Sequence, residues 1–146
     1  MTRNPTTCAP ATSLRLVAQL MNDHDCAAIP IVDSGRLVGL VTDRDIACRA
    51  VARGGEAPTL PASSIMSPCV IAVGPDEPLE KAINLMEENV IHHLAVIGRD
   101  GSLIGMIAQS DVGRRLTNRE FGELVRKTSI RDRHDDREIQ AVMRRP

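Results

Sequence analysis

Gly39-Leu40-Val41-Thr42-Asp43-Arg44-Asp45 is written twice in this chain, the second time as Gly105-Met106-Ile107-Ala108-Gln109-Ser110-Asp111. Outward from it, Gly35 matches Gly101, Leu37 matches Leu103 and Arg49 matches Arg115, all at an offset of 66 residues. Further upstream the offset is 65, with Met1-Thr2 against Met66-Ser67, Pro10 against Pro75, Leu14 against Leu79 and Leu20-Met21 against Leu85-Met86. The second copy therefore carries one inserted residue. A tandem repeat of a small αβ unit implies a pseudo-two-fold module with a ligand cleft between the copies, a binding architecture before a catalytic one.

Within each copy the hydrophobic period changes in a fixed order. Leu14, Val17, Ala18, Leu20 and Met21 fall at helical spacing behind Thr12 or Ser13 as a cap, predicting a helix over 13–22. Ala28-Ile29-Pro30-Ile31-Val32 predicts a strand, Asp33-Ser34-Gly35 a hairpin turn, 37–42 the partner strand and 43–52 a second helix. The second copy repeats this with a helix over 79–89, a strand over 94–97, a turn at Arg99-Asp100-Gly101, a strand over 103–107 and a helix from Gln109. With the short extended segments 6–9 and 70–73 in front, the unit is β-α-β-β-α and the class α+β. The expected division is 1–58, 59–119 and a polar helical tail over 120–146, with a Gly/Pro-rich connector over 54–61. In the tail, Phe121, Leu124 and Val125 form one apolar stripe, and Ile139, Val142 and Met143 are a weak signal for another helix over 135–145. That last stretch, 135–145, is expected to pack on a partner chain or to lead into a further domain. A 60-residue unit folded alone buries too little surface, so the two copies are expected to share one core.

Composition narrows the function. Trp and Tyr are absent and Phe121 is the only aromatic residue, which argues against the stacking platforms that hold single-stranded nucleic acid. Residues 1–113 carry 8 Lys/Arg and 13 Asp/Glu (−5), whereas 114–146 carry 10 and 6 (+4), a basic but sign-interleaved tail of the kind that is usually a solvated helix face. No apolar run is long enough to span a bilayer and no signal-peptide pattern opens the chain, so no membrane partner and a cytoplasmic location are expected. Cys8, Cys26, Cys48 and Cys69 form no CxxC pair, which indicates neither a zinc site nor a disulfide framework; Cys8 or Cys69 would be redox-sensitive only if exposed.

Gly-apolar-apolar-Thr-x-x-Asp before the last helix, Met-Thr/Ser at the start, Ala-Ile-Pro-Ile-Val in the first strand and Gly-x-Leu-apolar-Gly in the hairpin together resemble the cystathionine β-synthase (CBS) domain family. The resemblance covers both copies, roughly 1–119, and is closest to small stand-alone bacterial proteins made of little more than one CBS pair. It implies a cleft for adenosine-containing ligands, with AMP, ADP or ATP as the ligand and no required cofactor, and a homodimer formed through helices. It also implies ribose contacts from Asp45 and Asp111, and a base bordered by Thr6, Thr7, the backbone at Ala28, Ile29 and Pro30, and their counterparts Leu94 and Ala95. Phosphate contacts are expected from Thr42, Ser110, His92, His93 and Arg44.

The residue types suit those roles: a carboxylate accepts two ribose hydroxyls in charge-assisted bonds, and free N–H groups at a helix start attract phosphate. Each also has a plainer explanation. Thr42-x-x-Asp45 is equally a capping box, Arg44 on a first helical turn is ordinarily solvated, and the two histidines serve equally as one solvent-facing and one cleft-filling residue. Ala108 removes the hydroxyl from the second box yet Asp111 stays, which tilts the balance toward ribose. A regulatory nucleotide-binding module is the leading expectation, and a ligand-free interaction protein with an unknown protein partner is the alternative. An enzyme is disfavoured, since no P-loop, Rossmann glycine pattern or nucleophile-base pair is visible.

Overall fold

The computed structural model describes residues 1–68 and 70–129. Cys69, His134 and the weak helical signal over 135–145 lie outside the described residues. In the first copy, Leu14, Val17 and Met21 recur on one face and are buried, forming α1 (Leu14–Asp23), whose first turn is capped by Ser13 Oγ accepting the Leu16 N–H at 3.4 Å. Strands β2 (Ala28–Asp33) and β3 (Arg36–Thr42) pair antiparallel around Ser34-Gly35. Both loop residues have positive φ, 49° and 79°, the two-residue loop whose twist matches the flanking strands.

The second copy supplies β4 (Ala72–Val73), α3 (Leu79–Asn89), β5 (His93–Ile97) and β6 (Leu103–Ala108). His93 stands opposite Ala108 just as Ala28 stands opposite Thr42, so the strands keep one register in both copies. The inserted residue is confined to the hairpin turn. There Gly101, at φ 83°, donates to the Gly98 carbonyl at 3.0 Å and Gly98 donates to Ser102 at 2.8 Å, closing a longer loop.

The expected second helix of the first copy is helical throughout but unevenly wound. A single α turn, α2 (Asp43–Asp45), widens into a π turn at Ile46–Ala50 and tightens into a 3₁₀ turn at Val51–Arg53. Its counterpart α4 (Gln109–Gly113) is only five residues long. It stops where the Phe121 ring lies against Gly113, so close that a Cβ there would sit 2.6 Å from the ring. The last described helix, α5 (Asn118–Ser129), begins at a second capping box. Thr117 N–H and Oγ1 both donate to Glu120 at 2.8 and 2.7 Å, and these bonds hold the Glu120 carboxyl below its ordinary range.

Packing departs from the expected common core. Cys8, Val17, Ile29, Ile31, Val41 and Ala62 belong to one buried cluster, and Val73, Met86, Leu94, Val96, Val112 and Leu124 to another, one per copy. Each cluster is closed by the segment that follows its own second helix: the connector turn Ala57–Thr59 packs on α1, and α5 packs on α3. The helix expected through Phe121, Leu124 and Val125 is therefore α5, and it is part of the second copy's packing. No helix among the described residues is long and apolar enough to cross a membrane.

What joins the copies is exchanged backbone. A short strand β1 (Thr2–Arg3) pairs with β6, Thr2 opposite Met106 and Arg3 opposite Gly105, giving the sheet β1-β6-β5-β4. Reciprocally, Ser67 bonds Leu40 of β3 in both directions at 2.9 and 3.1 Å, while Cys8 bridges Ile31 on the far side of β2. The matched residues Arg36 and Ser102 bridge one another, which puts the pseudo-two-fold axis between them.

The exchange explains the glycine that opens each motif. A Cβ at Gly39 would lie 2.5 Å from Met66 Sδ, and one at Gly105 would lie 2.8 Å from the Thr2 carbonyl oxygen. A methionine end can rotate away; a paired backbone carbonyl cannot. Gly105→Ala is therefore expected to cost about 1–2 kcal/mol, bounded by the few hydrogen bonds of the arm it displaces, and Gly39→Ala less than ~1 kcal/mol. Equal losses in urea titrations of the two variants would refute that asymmetry.

Candidate functional site

Both strand-to-helix junctions end on a bonded carboxylate. Thr42 N–H donates to Asp45 Oδ2 at 2.9 Å, Thr42 Oγ1 donates to the same oxygen at 2.8 Å, and Asp45 N–H returns to Oγ1 at 3.2 Å. Asp45 is 9% exposed, and its other oxygen lies 3.1 Å from the Arg49 guanidinium. In the second copy Ala108 offers no side-chain acceptor, yet Asp111 Oδ2 still accepts the Ala108 N–H at 3.1 Å. Half the box therefore survives, and the persistence of Asp111 has a structural cause that the sequence did not show. Asp111 is also less enclosed than Asp45 and sits 3.8 Å from the Met1 amino nitrogen.

His93, at the start of β5 and half-buried, lies where the two copies meet. Burial lowers its pKa, the neighbouring His92 lowers it further, and the carboxylates of Asp43 and Asp111 pull the other way. Asp43 belongs to the first copy and Asp111 to the second, so His93 stands between the two junctions. His92 points elsewhere: its Nε2 is 3.3 Å from the Thr128 carbonyl on α5.

The other expected contacts divide by exposure. Arg44 and Ser110 lie exposed on the first turns of α2 and α4, and neither helix is long enough to build much of a dipole. Ile29, Pro30, Leu94 and Ala95 have buried side chains, so only their backbone is available to a base. Thr6 is half-buried and Thr7 exposed beside the Cys8 bridge to β2. Cys8 itself is buried, and desolvation raises its thiol pKa, which removes it as a redox-sensitive thiol. Gln109 and Thr128, joined at 2.7 Å, were missed. The Phe121, Leu124 and Val125 stripe pointed to the helix but not to the contact that its last turn makes.

A cavity of about 520 Å³ opens at the opposite, hairpin-turn end, lined by Arg36, Leu37, Val70, Ala72, Ile97 and Arg99 among others. No expected site residue lines it. Its Arg99 is paired with Asp76 at 3.5 Å and its Asp100 is bonded to Ser102. Among the described residues no group of three His, Cys, Asp or Glu side chains is placed to hold a metal ion.

The CBS domain model matches residues 1–50 and 62–118. The CBS domain-containing protein YhcV of Bacillus subtilis is 33% identical over 135 residues, covering 92% of this chain and 95% of that protein. Among solved structures, the conserved CBS domain protein TA0289 of Thermoplasma acidophilum superimposes with a TM-score of 0.81 at 22% identity, over 90% of this chain and 75% of that one, a likeness of fold. Two others hold adenosine compounds. CBSX2 in complex with AMP has a TM-score of 0.68 and 26% identity over 79% of this chain and 90% of its own. The CBS pair of MJ0100, with 5′-methylthioadenosine and S-adenosylmethionine, has 0.69 and 28% over 78% and 90%. With two matched repeats, a stand-alone relative of nearly equal span and the pseudo-two-fold fold itself, this chain belongs to the CBS domain family as a tandem pair.

Proposed function

We propose that this CBS pair is a regulatory module that binds an adenosine-containing nucleotide between its copies and passes occupancy to a homodimer or protein partner, in a cytoplasmic setting. The observation that supports this is His93, which feels the carboxylates of Asp43 from one junction and Asp111 from the other, with the Thr42–Asp45 pair at the first junction. The AMP complex of a similar CBS protein supports an adenosine-containing ligand. Asp45 and Asp111 take the ribose, the backbone of 28–30 and 94–95 borders the base, and His93 faces the phosphate. With Asp43 and Asp111 around a neutral imidazole, a ligand carrying fewer phosphate charges is favoured, so AMP is expected to bind more tightly than ATP.

One observation favours a second function, a ligand-free interaction module: both carboxylates are already engaged by their own caps. Titration with AMP decides between them, and pH sharpens it. The free His93 pKa lies below the ordinary value, and a bound phosphate raises it by stabilising the imidazolium. Binding then takes up a proton, and affinity for AMP is expected to rise severalfold as pH falls from about 7.5 to about 5.5. His93→Gln should flatten that dependence. Because the chain has no Trp or Tyr, retained adenine is readily visible in the ultraviolet spectrum of the purified protein. No saturable binding of AMP, ADP or ATP at either pH would leave the interaction module.

A further inference from the structure

Helix α5 lies outside the repeat, yet its last turn is wired to the cleft. Thr128 is 3% exposed. Its hydroxyl accepts from Gln109 Nε2 at 2.7 Å and donates to the Leu124 carbonyl at 2.9 Å, while its own carbonyl meets His92 Nε2 at 3.3 Å. Gln109 and His92 are in turn joined by backbone, Gln109 N–H to His92 O at 2.9 Å. Gln109 opens the Asp111 turn and His92 precedes His93, so one helix end ties down both the start of α4 and the approach to β5. Lys127 adds an ion pair to Glu87 on α3 at 2.7 Å.

We propose that α5 is a ligand-displaceable latch on that half of the cleft. While Thr128 is docked, the Gln109 amide and the His92 ring are committed to the helix. A nucleotide that recruits either group must release the last turn of α5. This rests on the adenine-nucleotide function proposed above and adds its output: occupancy at the junctions becomes undocking of the segment that leads into the basic tail. Coupling of this kind is reciprocal, so whatever loosens the latch must tighten nucleotide binding by the same factor.

Thr128→Val keeps the branched shape and removes the acceptor for Gln109. Losing one such hydrogen bond should raise AMP affinity about fivefold, measured by calorimetric titration of the full chain. Lys127→Ala removes only the surface pair to Glu87 and should raise it about twofold. Thermal melts confirm that each variant folds cooperatively. In the wild type, saturating AMP should accelerate amide hydrogen exchange at 125–129. If both folded variants bind AMP with wild-type affinity, or if AMP leaves exchange in α5 unchanged or slower, the latch is refuted while nucleotide binding stands. If neither wild type nor variants bind AMP, ADP or ATP, nucleotide binding and the latch fall together.

Discussion

Replacing Asp45 by alanine is expected to weaken AMP binding about thirtyfold, the equivalent of ~2 kcal/mol for lost charge-assisted bonds to ribose, and to lower folding stability by about 2 kcal/mol. The stability loss comes from the capping box: without Asp45, Thr42 N–H and Oγ1 lose their shared acceptor at a half-buried helix start. The ion pair with Arg49 adds little, because that arginine is 52% exposed. Since the cap and the proposed ribose contact fall on one residue, Asp45→Asn is the informative companion. Its amide oxygen still accepts the Thr42 N–H, so the cap survives while the charge is gone. A destabilised alanine variant beside an asparagine variant of full affinity would reduce Asp45 to a cap. Asp111→Ala, with a single N–H to lose, should cost only ~1 kcal/mol of stability. It should still weaken AMP binding if both junctions hold ribose.

Leu124→Ala should cost about 3 kcal/mol. Leu124 is 1% exposed inside the second copy's cluster, and truncating a fully buried leucine loses its transfer energy and leaves a cavity. The loss should show as a lower urea midpoint with little change in slope. Exposed Val125, on the same helix, provides the contrast: Val125→Ala should change stability by less than ~0.5 kcal/mol. A loss of under ~0.5 kcal/mol for Leu124→Ala would mean that α5 does not dock in solution, and the latch would fall with it.

Most of the fold could be seen in the repeat because each element carries its own period. Leu14, Val17 and Met21 announced a helix, the Ala-Ile-Pro-Ile-Val run a buried strand, and Ser34-Gly35 a turn that needs positive φ. The exchanged arms left no such trace: a two-residue strand has no period, and only the matching of Met1-Thr2 to Met66-Ser67 hinted at a common purpose. The site was half legible. Thr42 and Asp45 could be named as a capping pair, but the 3.1 Å bond from the Ala108 N–H to Asp111 is one that residue types cannot reveal. Thr128 was illegible for a related reason, since its importance comes from helix packing across a distance in sequence rather than from any local pattern.

The pairing of Thr2 with Met106 also sets an order of events at the ribosome. The first copy can finish its sheet once Ser67 has emerged, but the arm at Thr2–Arg3 has no partner until β6 is made. At about 5–20 residues per second, that arm waits unpaired on the order of 5–20 s. Its brevity makes the wait harmless, because two residues are too few to template pairing with another chain. The nascent chain thus makes the clasp of its second half before either copy, and synthesis must run almost the whole length of the pair before that clasp can close.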